Sequence, residues 1–332
     1  MKKIKYFITI ILLCSSSYSY AETRSFEEWL KLFKKKALEN NISEETFIKT
    51  MSSVKYLPKV IKYDRFQPEF YEDTITYISK RTSKKKILSG IKLYEKNYKT
   101  IDAIQDKFSV EKELLLSLMG IETNFGTYVG KMDILSSLAT LSFDKRRSDF
   151  FTNELITILQ LVESKTIDHK ILYGSWAGAY GNFQFMPTSI KKYAIDYNMN
   201  NKIELKNIED SFASAANYMK KINWKKDEPC FLKIDLSSNI PKKFLNTSAQ
   251  KIKNKKKLSF FENYIDNYED INVNKNYMVG IITPDKDIIE NSNNFKPAYI
   301  VFDNYELILK WNRSLRFALA VCTLKRSFEN VL

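Results

Sequence analysis

The stretch that most constrains this chain is ELLLSLMGIETNFG, residues 113–126. At helical spacing Leu115, Leu118 and Met119 share one face, and Glu122, three or four residues on, falls on that same apolar face. A carboxylate there is either paired, with an arginine or a neighbouring helix end, or put to use. Unpaired burial disfavours its charged form and lifts the acid above the free Glu value of about 4.3, which suits a group that donates a proton near neutral pH. The residues alone leave both outcomes open.

A second cluster, GSWAGAYGNFQFMPTS at residues 174–189, sets Gly174, Gly178 and Gly181 among Trp176, Tyr180, Phe183 and Phe185, with Ser175 and Gln184 as its polar members. Glycines admit close approach of a ligand, aromatic faces suit sugar C–H groups, and Ser and Gln orient hydroxyls. That is the make-up of a saccharide groove, although an ordinary Gly-rich packing turn has the same composition. Pro187 with Thr188 and Ser189 then starts a helix that the pattern carries to Tyr197.

Around these two stretches the chain reads as mainly α with a smaller β-containing segment, an α+β class. Residues 1–21 form a secretory signal: Lys2, Lys3 and Lys5, an apolar run too short to span a bilayer, and Ser19-Tyr20-Ala21 as the cleavage site. An uncleaved anchor and lipidation at Cys14 are the alternatives, and Leu13 before Cys14 is bulky for a lipoprotein signal. Residues 22–100 are Lys-rich and helical in pattern, with breaks at Pro58 and Pro68. Residues 101–224 hold the core, with helical runs at 112–121, 149–162 and 211–219. Residues 225–302 turn charged and Asn-rich before β-type runs at 277–283 and 298–302, and residues 303–332 end in an amphipathic helix over about 314–328.

The 332 residues carry 53 basic and 39 acidic side chains, a net charge of +14, which points to an anionic partner. Much of that charge is Lys scattered among Asn and Ile, a compositional bias needing no partner, and the export signal argues against nucleic acid. Of 3 Cys only Cys230 and Cys322 survive cleavage, which permits one disulfide without requiring it. His169 is the sole histidine, so no Cys/His zinc cluster and no catalytic dyad or triad that needs several histidines can be built.

Taken together, GIETNFGTYVGK, DILSSLATLSFDKRRSDFF, GSWAGAYGNFQFMPTSIKKYAIDY, SAANYMKKINW and YELILKWNRSLRFALAV, in that order, with YDRFQPEF at residues 63–70, resemble the membrane-bound lytic murein transglycosylase B family. The resemblance covers most of the mature chain and implies a lysozyme-like helical catalytic core of the goose type. It implies cleavage of the N-acetylmuramic acid β-1,4-N-acetylglucosamine bond of peptidoglycan without a cofactor, leaving 1,6-anhydromuramoyl ends. Glu122 matches the family's single acid/base. Ser175 and Gln184 match groove positions, and Tyr180 and Phe185 accompany them. Arg146 and Arg147 match a basic pair suited to muropeptide carboxylates, and Asn312 a polar substrate contact. Phe125 and Phe183 depart from the usual residues and FDKRR is one residue short, changes that bear on subsites rather than on the reaction. Asp196, Asn198, Asn200 and Asp210 stand where some relatives have an EF-hand-like loop, but the turn Gly and most carboxylates are missing, so no tight calcium site is expected.

The expected partner is the glycan strand, with peripheral attachment to the envelope and oligomeric state left open. A hydrolytic muramidase on the same fold would need a second carboxylate. Asp144, Asp149 and Glu154 have easy solvated readings. A non-catalytic wall-binding protein and an exported basic nucleic-acid binder remain as rivals from other classes.

Overall fold

The computed structural model describes residues 25–66, 72–285 and 295–332. The signal segment, Cys14 and the second half of YDRFQPEF lie outside the described residues.

At the centre stands α6 (Lys112–Thr123), in which Leu114, Leu115, Leu116, Leu118 and Met119 are at most 1% exposed. A helix apolar on all sides is stable only when wrapped, and α5 (Lys84–Phe108) and α12 (Leu315–Glu329) pack along it. Gly90 and Gly120 allow that close approach, since a Cβ at either would run into the rings of Phe125 or Phe328. Around this centre lie α1 (Phe26–Glu39), α2 (Glu44–Met51), α3 (Pro58–Arg65), α4 (Thr74–Arg81), α7 (Ile134–Phe143), α8 (Ser148–Glu163), α9 (Pro187–Tyr193), α10 (Ile208–Lys221) and α11 (Asp303–Trp311). One apolar cluster runs from Phe26 to Phe328, so the N-terminal helices share the core rather than precede it.

The helix ends follow capping chemistry. Ser25 and Glu28 form a capping box on α1, and Asp133, Asn207 and Ser314 each accept a backbone N–H at the start of α7, α10 and α12. The core helices expected at 112–121, 149–162 and 211–219 appear as α6, α8 and α10. No break separates residues 100 and 101: α5 continues through them, with its one irregular residue at Asn97. The helix after Pro187 stops at Tyr193, short of Tyr197, because Ile195 N and Tyr197 N turn to Ser214 Oγ and Asp210 Oδ1.

Two short strands, β1 (Met132–Asp133) and β2 (Tyr173–Gly174), pair antiparallel beside the core. The remaining strands form a separate sheet in the order β3-β7-β6-β4, from β3 (Phe231–Ile234), β4 (Leu245–Asn246), β6 (Met278–Ile282) and β7 (Ala298–Val301). There β5 (Lys256–Lys257) also pairs with β6. Val279, Ile281, Ile300, Phe261 and Leu258 give this segment its own small core. Cys230 and Cys322 are joined, tying the entry of the sheet to α12. Among the described residues no helix is long and apolar enough to cross a membrane.

Candidate active site

Glu122 sits in the last turn of α6, where the chain reverses through three consecutive left-handed residues, Asn124 (φ 49), Phe125 (φ 59) and Gly126 (φ 81). Two of these are not glycine, and such strain persists only where surroundings over-determine it. Here they do: Thr123 is fully buried, donates to Asn182 O at 2.7 Å and accepts from Gly126 N at 3.1 Å. Asn182, 4% exposed, in turn donates to Lys206 O, Asn207 O and Ser211 Oγ at the start of α10. The turn that carries Glu122 is thus bolted to the Gly-rich cluster and through it to α10.

The Glu122 carboxyl is half-buried rather than enclosed, and Trp311 Nε1 donates to its Oε1 at 2.9 Å. Trp311, the last residue of α11, is itself held by Phe185 (ring centroids 5.2 Å apart), Tyr218 (4.7 Å) and Phe183 (6.2 Å). Burial pushes the phenols of Tyr218 and Tyr180 up to about 12, so both stay neutral and neither offers a base. Trp311 stands inside the stretch KWNRS, but its role is invisible in the sequence because its partner is 189 residues away.

A cleft passes Glu122 in two arms that share Tyr128. The arm of about 480 Å³ is lined by Tyr63, Tyr128, Trp176, Met132, Ser175 and Gln184, among others. The arm of about 370 Å³ holds Glu122 with Lys80, Lys85, Lys86, Ser83 and Ser89. Gly130 (φ 81) and Gly174 form the floor of the first arm, where a Cβ on Gly130 would lie 2.1 Å from Gly174 O. Ser175 Oγ accepts from Ala177 N and Ala179 N, which leaves its O–H to donate into the cleft. Gln184 Nε2 donates to Val129 O and Gly181 O, pinning the wall to the turn. Tyr63 arrives from α3, its ring 6.5 Å from that of Trp176, so the N-terminal helices contribute a wall that the sequence did not reveal.

Other expected contacts lie elsewhere. Tyr180 and Phe185 are 2% and 3% exposed, rings with too little surface to face a sugar, and Phe185 packs under Trp311. Arg146 and Arg147 both close on the buried carboxylate of Asp64 in α3, Arg146 Nη1 at 2.8 Å. They clamp α3 to the start of α8 and line neither arm. Arg146→Ala is therefore expected to cost about 1–2 kcal/mol of stability, because Arg147 remains and Arg146 is half exposed. Thermal melting measures that loss, and a selective loss of peptide-bearing substrate in the same variant would contradict the placement. Asn312 caps α11 next to Trp311, half-buried.

Glu154 is not solvated but 2% exposed. It accepts from Thr188 N at 2.9 Å and Thr188 Oγ1 at 2.7 Å, capping α9, and burial pushes its carboxyl up against those bonds. Asp144 accepts from Arg65 Nη2 and Arg146 N. In the segment 196–210, Asp196 accepts from Asn200 N and Asn201 N, and the buried Asp210 from Tyr197 N and Glu204 N. Those oxygens close the loop on its own backbone, so this segment does not fit a calcium cage. Among the described residues no group of three or more His, Cys, Asp and Glu is arranged to hold a metal ion.

The family profile described as "Transglycosylase SLT domain" matches residues 25–326. Membrane-bound lytic murein transglycosylase B of Escherichia coli (strain K12) is 34% identical over 155 residues, 46% of this chain and 43% of that protein, so less than half of that relative's length is aligned. Two crystal structures of SltB3 from Pseudomonas aeruginosa, in complex with NAG-NAM-pentapeptide and with NAG-anhNAM-pentapeptide, superpose with TM-scores of 0.81 and 0.80. Both are 26% identical, covering 92% of this chain and 80% of that chain. The Escherichia coli lytic transglycosylase Slt35 in complex with calcium shares the fold, with a TM-score of 0.74 at 24% identity over 91% and 94% of the two chains. The mainly helical, lysozyme-like architecture expected from the sequence is shown by these superpositions.

Proposed function

The chain belongs to the transglycosylase SLT domain family, and from that premise we propose that it is an exported enzyme of the membrane-bound lytic murein transglycosylase B type that cleaves the N-acetylmuramic acid β-1,4-N-acetylglucosamine bond of peptidoglycan. The observation that carries this reading is that Glu122 is the sole carboxylate among the described residues lining the two arms of the cleft. A two-carboxylate glycosidase needs its second acid about 5 Å away as nucleophile, or about 6.5–9.5 Å away as the base for water. Glu154, the buried candidate, is held by Thr188 and lines neither arm.

With one carboxylate the chemistry runs in two proton transfers. Glu122 protonates the glycosidic oxygen as the bond to the muramic acid anomeric carbon breaks. The resulting carboxylate then takes the proton of that sugar's own six-position hydroxyl, whose oxygen attacks the anomeric carbon and closes the 1,6-anhydro ring. The substrate's N-acetyl group stabilises the intervening positive charge. Trp311 holds the carboxyl orientation throughout, and the aromatic arm with Ser175 and Gln184 seats the neighbouring sugars.

Purified sacculi test the reading against its rivals. Release of soluble muropeptides is expected; a silent wall-binding protein sediments with sacculi and releases none. A basic nucleic-acid binder shows affinity that falls steeply with salt and likewise releases none.

A further inference from the structure

We propose that the lysine-lined arm of the cleft, centred on Lys85, is a subsite for the carboxylates of the stem peptide carried by the muramic acid beside Glu122. The proposal rests on the peptidoglycan reading above and adds a specificity determinant to it.

The two arms differ in chemistry. The larger presents aromatic and apolar surface and one cation, Lys131, among its described lining residues. The smaller presents Lys80, Lys85 and Lys86 with the hydroxyls of Ser83 and Ser89, and its only described carboxylate is Glu122. Sugar rings have no use for three ammonium groups at one end of a groove. The cleaved bond starts at muramic acid, the one sugar of the strand that carries an acidic peptide, so that peptide must leave the cleft within one sugar of Glu122.

The three lysines are not equivalent. Lys80 is engaged with Glu72 at 2.7 Å, and Lys86 donates to Gly120 O at 2.6 Å. Burial, then the like charge of Arg81, disfavours the Lys86 cation, a penalty that an arriving carboxylate relieves. Lys85 is exposed, its carbonyl accepts from Ser89 Oγ, and its ammonium has no ion-pair or hydrogen-bond partner among the described residues. It is the group with donors to give. Arg146 and Arg147, the pair that sequence reasoning assigned to this task, are occupied by Asp64.

The ligand chemistry is a carboxylate, which the strand offers in two places, the stem peptide and the bare lactyl group of a peptide-stripped muramic acid. The test uses full-length protein carrying Glu122→Gln, so that binding is read without turnover. Calorimetric titration compares a peptide-bearing GlcNAc-MurNAc tetrasaccharide, the same tetrasaccharide stripped to its lactyl groups, and neutral chitotetraose. Adding Lys85→Glu should weaken the first about tenfold or more at low salt and the other two by less than about twofold, with the gap narrowing as salt rises. Lys85→Arg should restore binding. Unchanged affinity for the peptide-bearing ligand overturns the proposal. Equal loss on the lactyl ligand also overturns it by moving the contact to the sugar, and loss on chitotetraose shows a sugar subsite instead. Because the titration needs no bond cleavage, it decides the subsite even if wild-type protein were to release no muropeptide.

Discussion

Replacing Glu122 by Gln is expected to lower turnover of sacculi about a hundredfold or more, the usual scale for removing a general acid, while leaving the fold and sugar binding in place. The substitution is clean for a structural reason. The Gln carbonyl oxygen can still accept from Trp311 Nε1, and the helix end is held by Thr123 and Asn182 rather than by the carboxyl. What is lost is the proton. Circular dichroism and oligosaccharide binding should match the parent; near-normal turnover in a folded variant would remove Glu122 from the mechanism.

The second large effect is expected at Trp311. Trp311→Phe keeps an aromatic ring against Phe185 and Tyr218 but deletes the N–H that meets Glu122 Oε1. A hydrogen bond to an ionisable group is worth about 1.5–3 kcal/mol, so kcat should fall roughly ten- to a hundredfold if that bond is what orients the acid. Trp311 acts through Glu122, so it is a positioning residue. KM should therefore move little, and thermal stability should fall by no more than about 1 kcal/mol. A loss confined to KM or to stability would show that Trp311 only packs.

Much of this architecture was legible because it is local. The apolar run of α6, the final helix capped by Ser314 and the β-type runs that became β6 and β7 all announce themselves through period and punctuation within a few residues. The Glu122 turn was legible as a candidate for the same reason, since an acid on an apolar face stands out without knowledge of its neighbours, although the residues alone left pairing and catalysis both open. Contacts between distant segments were not. Asp64 meets Arg146 across 82 residues, and nothing in FDKRR says whether its arginines face a ligand or a buried carboxylate. Tyr180 and Phe185 alternate with glycines in a stretch with no steady period, so the sequence could not tell the wall of the groove from its floor. Glu154 falls on a helix whose neighbours read as polar, and its burial is created by α9 packing over it. The same blindness hid Tyr63 and Lys85, whose roles depend on where α3 and α5 end in space.

The central claim is that one carboxylate and the substrate's own hydroxyl do the work of two carboxylates and water. Mass spectrometry of the ends released from purified sacculi tests it most directly. Intramolecular attack predicts 1,6-anhydromuramoyl ends, one water lighter than hydrolysed ends and inert to borohydride. A digest containing only reducible muramic acid ends would contradict the account and would require a second catalytic acid that the described residues of the cleft lining do not present.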